Sequence, residues 1–359
     1  MLESSASRLQ WTFRILLLAV LGSLLLSSAV WLTDRNFPVL PIFSFLPSAP
    51  SPVDYLLYCV LVVLLIYQMI YLQNRNTLYA LIGLFAFLLL GDQMRWQPYN
   101  IQFFLMLCGL FFYPKNTEEL LNVFRLLIVA FFIWSGIQQL NETFSGVVYP
   151  WLAKPLSSRL PDSVTPILFN SYGFSLLNIL AGVGLLFEKT RNIAVYLGIA
   201  VATFLLHSLS PMGNDWNRAF LPYYAAIGFF TYLLFYKATF DVKQMIWSKT
   251  FRFQQVILVV CILPALSFAG IYDRTQSFNL TYGRTWSPKI YVTEELVDKL
   301  PDGVKRYVNR PPLSDPFIDI NEWTLHALKV APYSEPRINK DLHDYICSFA
   351  EGDCPAKLK

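Results

Sequence analysis

Residues 117–142 read TEELLNVFRLLIVAFFIWSGIQQLNE and join a long apolar run to a polar end. The run from 119 to 140 is long enough to cross a bilayer as a helix, which takes about 20 mostly apolar residues. The polar groups that follow it are costly inside a membrane and need partners or a purpose. This segment therefore predicts a membrane helix with a site or a structural cluster at one end.

Similar apolar runs recur along the chain, of which 55% is hydrophobic and only 14% charged. A soluble domain carries about a quarter charged residues. We predict an all-α polytopic membrane bundle of about nine transmembrane helices, and the third and fourth runs are short enough that one could be tilted or re-entrant. The predicted spans are residues 14–32, 54–72, 78–92, 100–113, 119–140, 167–187, 192–209, 218–236 and 254–272.

The basic residues orient this bundle, because Lys and Arg are enriched in cytoplasmic loops. With the N-terminus inside, about twice as many basic residues fall on the inner side as on the outer side. The inner set is Arg8, Arg14, Arg75, Lys115, Lys189, Arg191, Lys237, Lys243, Lys249 and Arg252. The outer set is Arg35, Arg95, Lys154, Arg159 and Arg218. We expect a multi-pass inner (plasma) membrane protein with a cytoplasmic N-terminus and an extracytoplasmic C-terminus.

The chain divides into a transmembrane domain, residues 1–272, and a small extracytoplasmic α+β module, residues 273–359. Alternation predicts strands at 276–282 and 289–293. A helix interrupted at Pro301 is predicted over 294–309, and a strand and a helix over 318–330 and 341–349. Cys347 and Cys354 lie in this polar tail and would form a disulfide in an oxidising compartment.

Polar residues cluster at the predicted outer ends of three helices. If these helices are neighbours, the residues would form one polar ligand-binding pocket just below the outer surface. The alternative is that they cap helices and form structural ion pairs, Asp92 with Arg95 and Asp215 with Arg218. The set is Asp92, Arg95, Gln138, Gln139, Asn141, Glu142, His207, Asp215, Asn217 and Arg218.

Three of these residues are candidate acids or bases: Glu142, His207 and Asp92. A lone histidine near a helix end is more often a hydrogen-bonded structural residue, and we predict no metal site. Elsewhere, small residues on one face of the sixth span predict close helix packing, and Arg125 is expected to reach the cytoplasmic interface. That face carries Ser171, Ser175, Asn178 and Gly182.

The chain contains no GxGxxG, P-loop or HExxH motif, so no cofactor is predicted. A net charge of +4 is too small to indicate nucleic acid. The expected partners are the lipid bilayer and further protein subunits of the membrane or envelope.

Three stretches resemble the HTTM group of membrane proteins, which includes vitamin K-dependent γ-glutamyl carboxylase, and more distantly the DoxX- and MauE-like proteins. They are DQMRWQPYNIQFF at 92–104, FFIWSGIQQLNETF at 131–144 and YDRTQSFNLTYGRTW at 272–286. The resemblance covers most of the chain and implies a helical bundle followed by an outer, β-containing tail.

The chain departs from the carboxylase-like members at the residues that chemistry needs. Those members place a lysine pair where Gln138 and Gln139 stand, and a histidine where Tyr99 and Asn100 stand. A general base must be titratable and within reach. The resemblance thus implies a shared bundle and argues against carboxylation.

Three functions stay open on these grounds. The first is a non-carboxylating accessory or assembly subunit that binds a small or lipid-soluble ligand. The second is a membrane enzyme of the carboxylase-like class acting at the outer face. The third is a small-molecule transporter, although internal repeats typical of alternating access are not evident.

Overall fold

The computed structural model describes residues 4–43, 45, 49–112, 116–161, 170–246, 255–279, 288–333 and 335–359. It is mostly helical and ends in a small antiparallel sheet. The helices before the sheet are α1 Ser5–Leu26, α2 Ser28–Trp31, α3 Val53–Ile70, α4 Arg75–Leu90, α5 Pro98–Phe112, α6 Thr117–Gln138, α7 Tyr149–Ser157, α8 Ser171–Leu186, α9 Glu188–Leu209, α10 Phe220–Phe235, α11 Val242–Ile246 and α12 Gln255–Ala269.

Four of the described helices, α1, α3, α6 and α9, are long and apolar enough to cross a membrane. Five shorter apolar helices, α4, α5, α8, α10 and α12, lie at the other predicted spans. Residues 113, 167–169 and 254 of those spans fall outside the described ranges.

Side-chain caps determine where several helices begin. Asn74, Asn116 and Asn170 each accept a hydrogen bond from the backbone N–H three residues on, at 3.2, 3.1 and 2.9 Å. Such caps satisfy one of the free N–H groups of a helix N-terminus. The first helix begins at Ser5 rather than near residue 14, because its polar first turns continue the helix from the Ser4 cap.

Helix α6 is the centre of the bundle. Within its most apolar part 83% of the residues are buried, against 22% for the peripheral α3. It packs closely on α8, which in turn contacts α9, while α9 and α1 both pack on α10. Helix α6 is thus more enclosed than the other three long apolar helices, α1, α3 and α9.

Three arginines close the end of the bundle that we predict to be cytoplasmic. Arg8, Arg125 and Arg191 donate to carbonyls at or just after the C-terminus of α10, those of Leu233, Leu234 and Ala238 among them. Cations at this position satisfy unpaired carbonyls and the helix dipole. Arg125 is 2% exposed and also contacts the Phe240 ring and Glu118 at this end of the bundle. Its position relative to the cytoplasmic interface stays a prediction.

The C-terminal sheet has the strand order β2-β3-β1-β4 and is antiparallel throughout. Its central pair aligns Ile290 with Ile318, both fully buried. The elements of this C-terminal module are β1 Lys289–Tyr291, α13 Glu294–Lys299, α14 Asp302–Lys305, β2 Val308–Asn309, β3 Phe317–Asp319, α15 Ile320–Leu328, α16 Pro336–Cys347 and β4 Lys357–Leu358.

Several predictions for the module need correction. Residues 276–279 form a turn and not a strand, and 280–282 lie outside the described part of the chain. The strand predicted within 318–330 ends at Asp319, because that carboxylate accepts hydrogen bonds from Asn321 N and Glu322 N and starts α15. The last helix begins at Pro336, five residues earlier than predicted. The strand predicted over 289–293 is confirmed at Lys289–Tyr291, and so is the helix break at Pro301. The helix predicted to run to residue 309 ends at Lys305, and Val308–Asn309 pairs with β3 as a strand.

The module is docked on one end of the bundle through both polar and aromatic contacts. The Trp323 indole donates to Asn36 O at 2.7 Å and lies 4.7 Å from the Phe37 ring. Gln97 donates to Ala331 O at 3.0 Å, and Arg337 donates to Gln93 at 2.9 Å. The module thus rests on the loop after α2 and on the 91–97 turn, which contains Asp92 and Arg95.

Candidate functional site

Asp92 is the centre of a buried ion cluster between the end of α4 and the loop after α2. Its side chain has no exposed surface and forms a charged hydrogen bond with Arg35, whose side chain is 2% exposed. Arg95 lies 3.9 Å from the same carboxylate oxygen. The other oxygen accepts from Met94 N at 3.1 Å. The predicted Asp92–Arg95 pair exists, but Arg35 is the closer partner.

The two arginines of this cluster also bind backbone carbonyls. Arg95 donates to Leu88 O at 2.8 Å and to Trp31 O at 2.9 Å, and Arg35 donates to Val30 O at 2.7 Å. These oxygens belong to helix ends that would otherwise lack donors. The cluster therefore joins α2, α4 and the following loops, which is a structural role.

A second group lies where α6 meets α8 and α12. Gln138 donates to Ser267 Oγ at 2.8 Å, and Gln139 donates to Ser135 Oγ at 3.2 Å. Asn178 donates to Gln139 Oε1 at 3.4 Å, which links α8 to α6. Gln138 and Gln139 thus bind neighbouring helices.

The residues just beyond α6 have simpler roles. The Asn141 side chain accepts from Phe144 N at 2.8 Å and so caps the following helical turn. Glu142 is exposed beside it. An exposed carboxylate at the start of a helix interacts favourably with the helix dipole.

The third group is the turn after α9. His207 Nε2 lies 3.4 Å from Arg159 Nη1, a contact exposed to solvent. Asp215 and Arg218 form the predicted ion pair, at 2.8 Å and on the surface. Hydrogen bonding to Arg218 lowers the pKa of Asp215, so this group is a carboxylate at neutral pH. Asn217 is buried with a φ of 50°.

The structure thus divides the ten predicted residues into three groups. Within the groups, Asp92 pairs with Arg95, Asn141 donates to the Gln138 carbonyl, and Arg218 pairs with Asp215. Among the described residues, no hydrogen bond or ion pair joins one group to another. The single outward-facing polar pocket stays a prediction.

Sequence reasoning missed a polar pair inside the bundle. Tyr223 of α10 donates to Gln102 Oε1 of α5 at 2.5 Å, and Gln102 is 3% exposed. The Gln102 amide nitrogen has no partner within the described part of the chain. The available signal was one glutamine inside the apolar run 100–113.

An apolar groove lies beside this glutamine, between α5, α6 and α12. Its larger part has a volume of about 330 Å³ and is walled by residues such as Leu105, Cys108, Val123 and Val259. A smaller cavity lined by Leu105, Val259, Gln102 and Phe278 continues from the same wall. The walls are mainly apolar, with Gln255 lining the larger part and Gln102 and Gln276 lining the smaller one. Mainly apolar walls with a few polar groups are typical of ligand sites.

Cys347 and Cys354 are joined in a disulfide that closes the last turn of α16. His343 lies 3.6 Å from the Cys347 sulfur. These three residues have the side chains of a metal site, but a disulfide sulfur is not a thiolate and does not bind a metal in that form.

Comparison with protein-family models, with curated proteins and with solved structures found no match. The resemblance to the HTTM group accordingly stays a prediction based on three short stretches.

Proposed function

We propose that this chain is a multi-pass membrane protein that binds a lipid-soluble ligand and serves as an accessory or assembly subunit of a membrane or envelope complex. The nine apolar helices would each span the bilayer, with the N-terminus in the cytoplasm and the C-terminal module outside. The observation that carries the proposal is the apolar groove with the unpartnered amide of Gln102 beside it.

The groove has the chemistry of a ligand site rather than of a packing defect. A buried amide N–H without an acceptor costs about 1–3 kcal/mol, which a ligand carbonyl or hydroxyl would offset. The walls are apolar enough to hold an acyl or prenyl chain. Gln276 and Phe278 belong to the segment that leads to the module, and they line the polar end of the groove. A bound ligand would therefore contact the segment that joins the module to the bundle.

Binding is favoured over catalysis by the placement of the three candidate acids and bases. Asp92 is fully buried and paired with two arginines. Glu142 is exposed, and His207 faces Arg159 at the surface. A general acid or base works on a substrate held within hydrogen-bond reach, and these three groups lie in different places.

A groove-filling variant tests the proposal. Leu105→Trp places an indole in the groove, and Leu56→Trp places one on the exposed face of α3, where Leu56 is 63% exposed. Each protein would be purified in mild detergent, extracted with organic solvent and analysed by mass spectrometry. We expect a lipid-soluble molecule in stoichiometric amount from the wild type and Leu56→Trp, and its loss from Leu105→Trp. Equal recovery from all three would contradict the proposal.

A further inference from the structure

A second and larger cavity lies at the end of the bundle opposite the module. It has a volume of about 830 Å³ and is enclosed by the starts of α1, α4 and α6 and the ends of α3 and α5. Phe13, Leu78 and Leu110 form part of its apolar wall. This cavity shares no lining residue with the groove beside Gln102, so it is a separate place in the fold.

The polar part of the cavity is basic. Arg14 of α1 and Arg75 of α4 both line it, together with Gln10 and Asn74, and none of the described residues that line it is acidic. Neither arginine has a carboxylate partner among the residues that the structure describes. This contrasts with Arg8, Arg125 and Arg191 nearby, which are all bound to backbone carbonyls.

The helix ends at the cavity contribute dipoles of both signs, since the C-terminal ends of α3 and α5 line it together with the N-terminal ends of α4 and α6. The cavity adjoins the first turn of α4, whose N-terminus begins at Arg75 after the Asn74 cap. It also adjoins Thr117, the first residue of α6. Helix N-termini favour anions. Of the acidic residues in the first turn of α6, Glu118 is bound to Arg125 and Ser5, and neither Glu118 nor Glu119 lines the cavity.

The rim of the cavity has the composition of a membrane–water interface. Tyr71 and Tyr79 line it and are 54% and 41% exposed, and Ile70 is 67% exposed. Trp11 is 38% exposed and lies 5.1 Å from the Arg14 guanidinium. Tyrosine and tryptophan prefer the headgroup level of a bilayer. A ligand with an anionic head and apolar chains matches both parts of the cavity.

We propose that this cavity binds the headgroup of an anionic phospholipid, with the phosphate between Arg14 and Arg75 and an acyl chain along Phe13, Leu78 and Leu110. The arginine guanidinium groups supply paired N–H donors suited to phosphate oxygens. Basic pockets between membrane helices are known to bind such headgroups. The site would fix a lipid where α1, α3 and α4 meet.

Native mass spectrometry in detergent tests the site, with phosphatidylglycerol, phosphatidylcholine and inorganic phosphate as probes. We expect the wild type to retain phosphatidylglycerol in preference to phosphatidylcholine. The double variant Arg14→Gln/Arg75→Gln should bind phosphatidylglycerol about 25-fold more weakly, since each basic residue contributes about fivefold near an anionic lipid surface. Arg306→Gln, the same charge change at an exposed arginine of the module, should bind like the wild type.

A lysine double variant and displacement by inorganic phosphate complete the test. Arg14→Lys/Arg75→Lys retains the charge and should keep most of the preference, which distinguishes lost binding from misfolding when melting temperatures are compared. Displacement of the lipid by inorganic phosphate at similar concentration would assign the cavity to soluble phosphates and overturn the proposal. Unchanged phosphatidylglycerol binding in the glutamine double variant would overturn it as well.

Discussion

Asp92 is a candidate acid or base by residue type, but its contacts give it a structural role. Its carboxylate lies between Arg35 and Arg95, and both arginines also hold carbonyls at helix ends. Two cations and one anion without solvent leave a net positive charge, which the carbonyl dipoles stabilise. Without the Asp92 carboxylate, both guanidinium groups would be left without a counter-ion.

Asp92→Asn should consequently destabilise the protein strongly. The amide keeps the shape and can still accept from Met94 N, but it leaves two buried guanidinium groups without a counter-ion. Removing one partner of a buried pair costs about 3–5 kcal/mol. Thermal unfolding in detergent should show a clear fall in melting temperature.

The matched control is Asp215→Asn. Its pair with Arg218 has the same residue types but lies in solvent, so the melting temperature should stay near the wild-type value. Equal destabilisation by the two variants would contradict a special role for the Asp92 cluster.

Glu335 gives the module a pH dependence of known sign. The side chain is 4% exposed, and burial raises its pKa from the ordinary 4.5, against the opposing hydrogen bonds from Thr275. The folded module therefore holds the proton more strongly than the unfolded chain does. Glu335 therefore contributes most to the stability of the module at low pH. This contribution falls as the pH rises above about 4.5, and it levels off above the pKa that Glu335 has in the folded state.

Glu335→Gln should remove this pH-dependent contribution to stability. The amide oxygen can still accept from Thr275 N and Oγ1, which lie 3.0 and 2.8 Å from the carboxylate oxygen. We expect melting temperatures measured from pH 4 to pH 7 to decline less steeply than in the wild type. Glu335→Ala, which loses the acceptor, should be less stable across the range. An unchanged slope in Glu335→Gln would refute the assignment.

At the scale of elements, the contact between α6 and α8 depends on two glycines. A Cβ on Gly136 would lie 2.6 Å from Ile179 Cγ1 and 2.7 Å from Ser175 O. A Cβ on Gly182 would lie 2.6 Å from Ile133 Cγ1. Ser175 and Asn178 are fully buried in the same interface. The predicted small-residue packing face of the sixth span is therefore confirmed.

Gly136→Ala and Gly182→Ala should each force these helices apart and lower stability by about 1–3 kcal/mol, as overpacked cores do. Gly83→Ala in α4 is the control, because a Cβ there meets nothing within 4 Å. Alanine favours a helix over glycine by about 0.5–1 kcal/mol, so this variant should be as stable as the wild type or more so. Melting temperatures of the three purified variants test these predicted changes in stability. Equal effects at all three sites would show that α6 and α8 are not in close contact.

The sequence predicted helices better than it predicted contacts. Apolar runs mark membrane helices because the bilayer demands about 20 such residues, whatever the neighbours are. Of the two partners of Asp92, only Arg95 was predicted, because it lies three residues away in the sequence. Arg35 is far from Asp92 in the sequence and is brought to it by a loop. Gln102 could not be selected as a groove residue, since one glutamine in an apolar run does not reveal which helices face it.

At the scale of the whole molecule, the two ends of the bundle differ in chemistry. One end has arginines bound to the carbonyls after α10 and the basic cavity with Arg14 and Arg75. The other has the Asp92 cluster and the docked module with its disulfide. This asymmetry agrees in direction with the positive-inside rule, and a structural disulfide suits an oxidising compartment.

Thiol labelling of intact cells tests this orientation. Single cysteines at Lys243 and Leu313, both exposed, would be placed in a chain whose free Cys59, Cys108 and Cys261 are replaced by serine. A membrane-impermeant maleimide should label Leu313→Cys in intact cells and Lys243→Cys only after permeabilisation. The Cys347–Cys354 pair should resist labelling until a reductant is added. Labelling of Lys243→Cys from outside, or equal labelling of both sites, would refute the orientation.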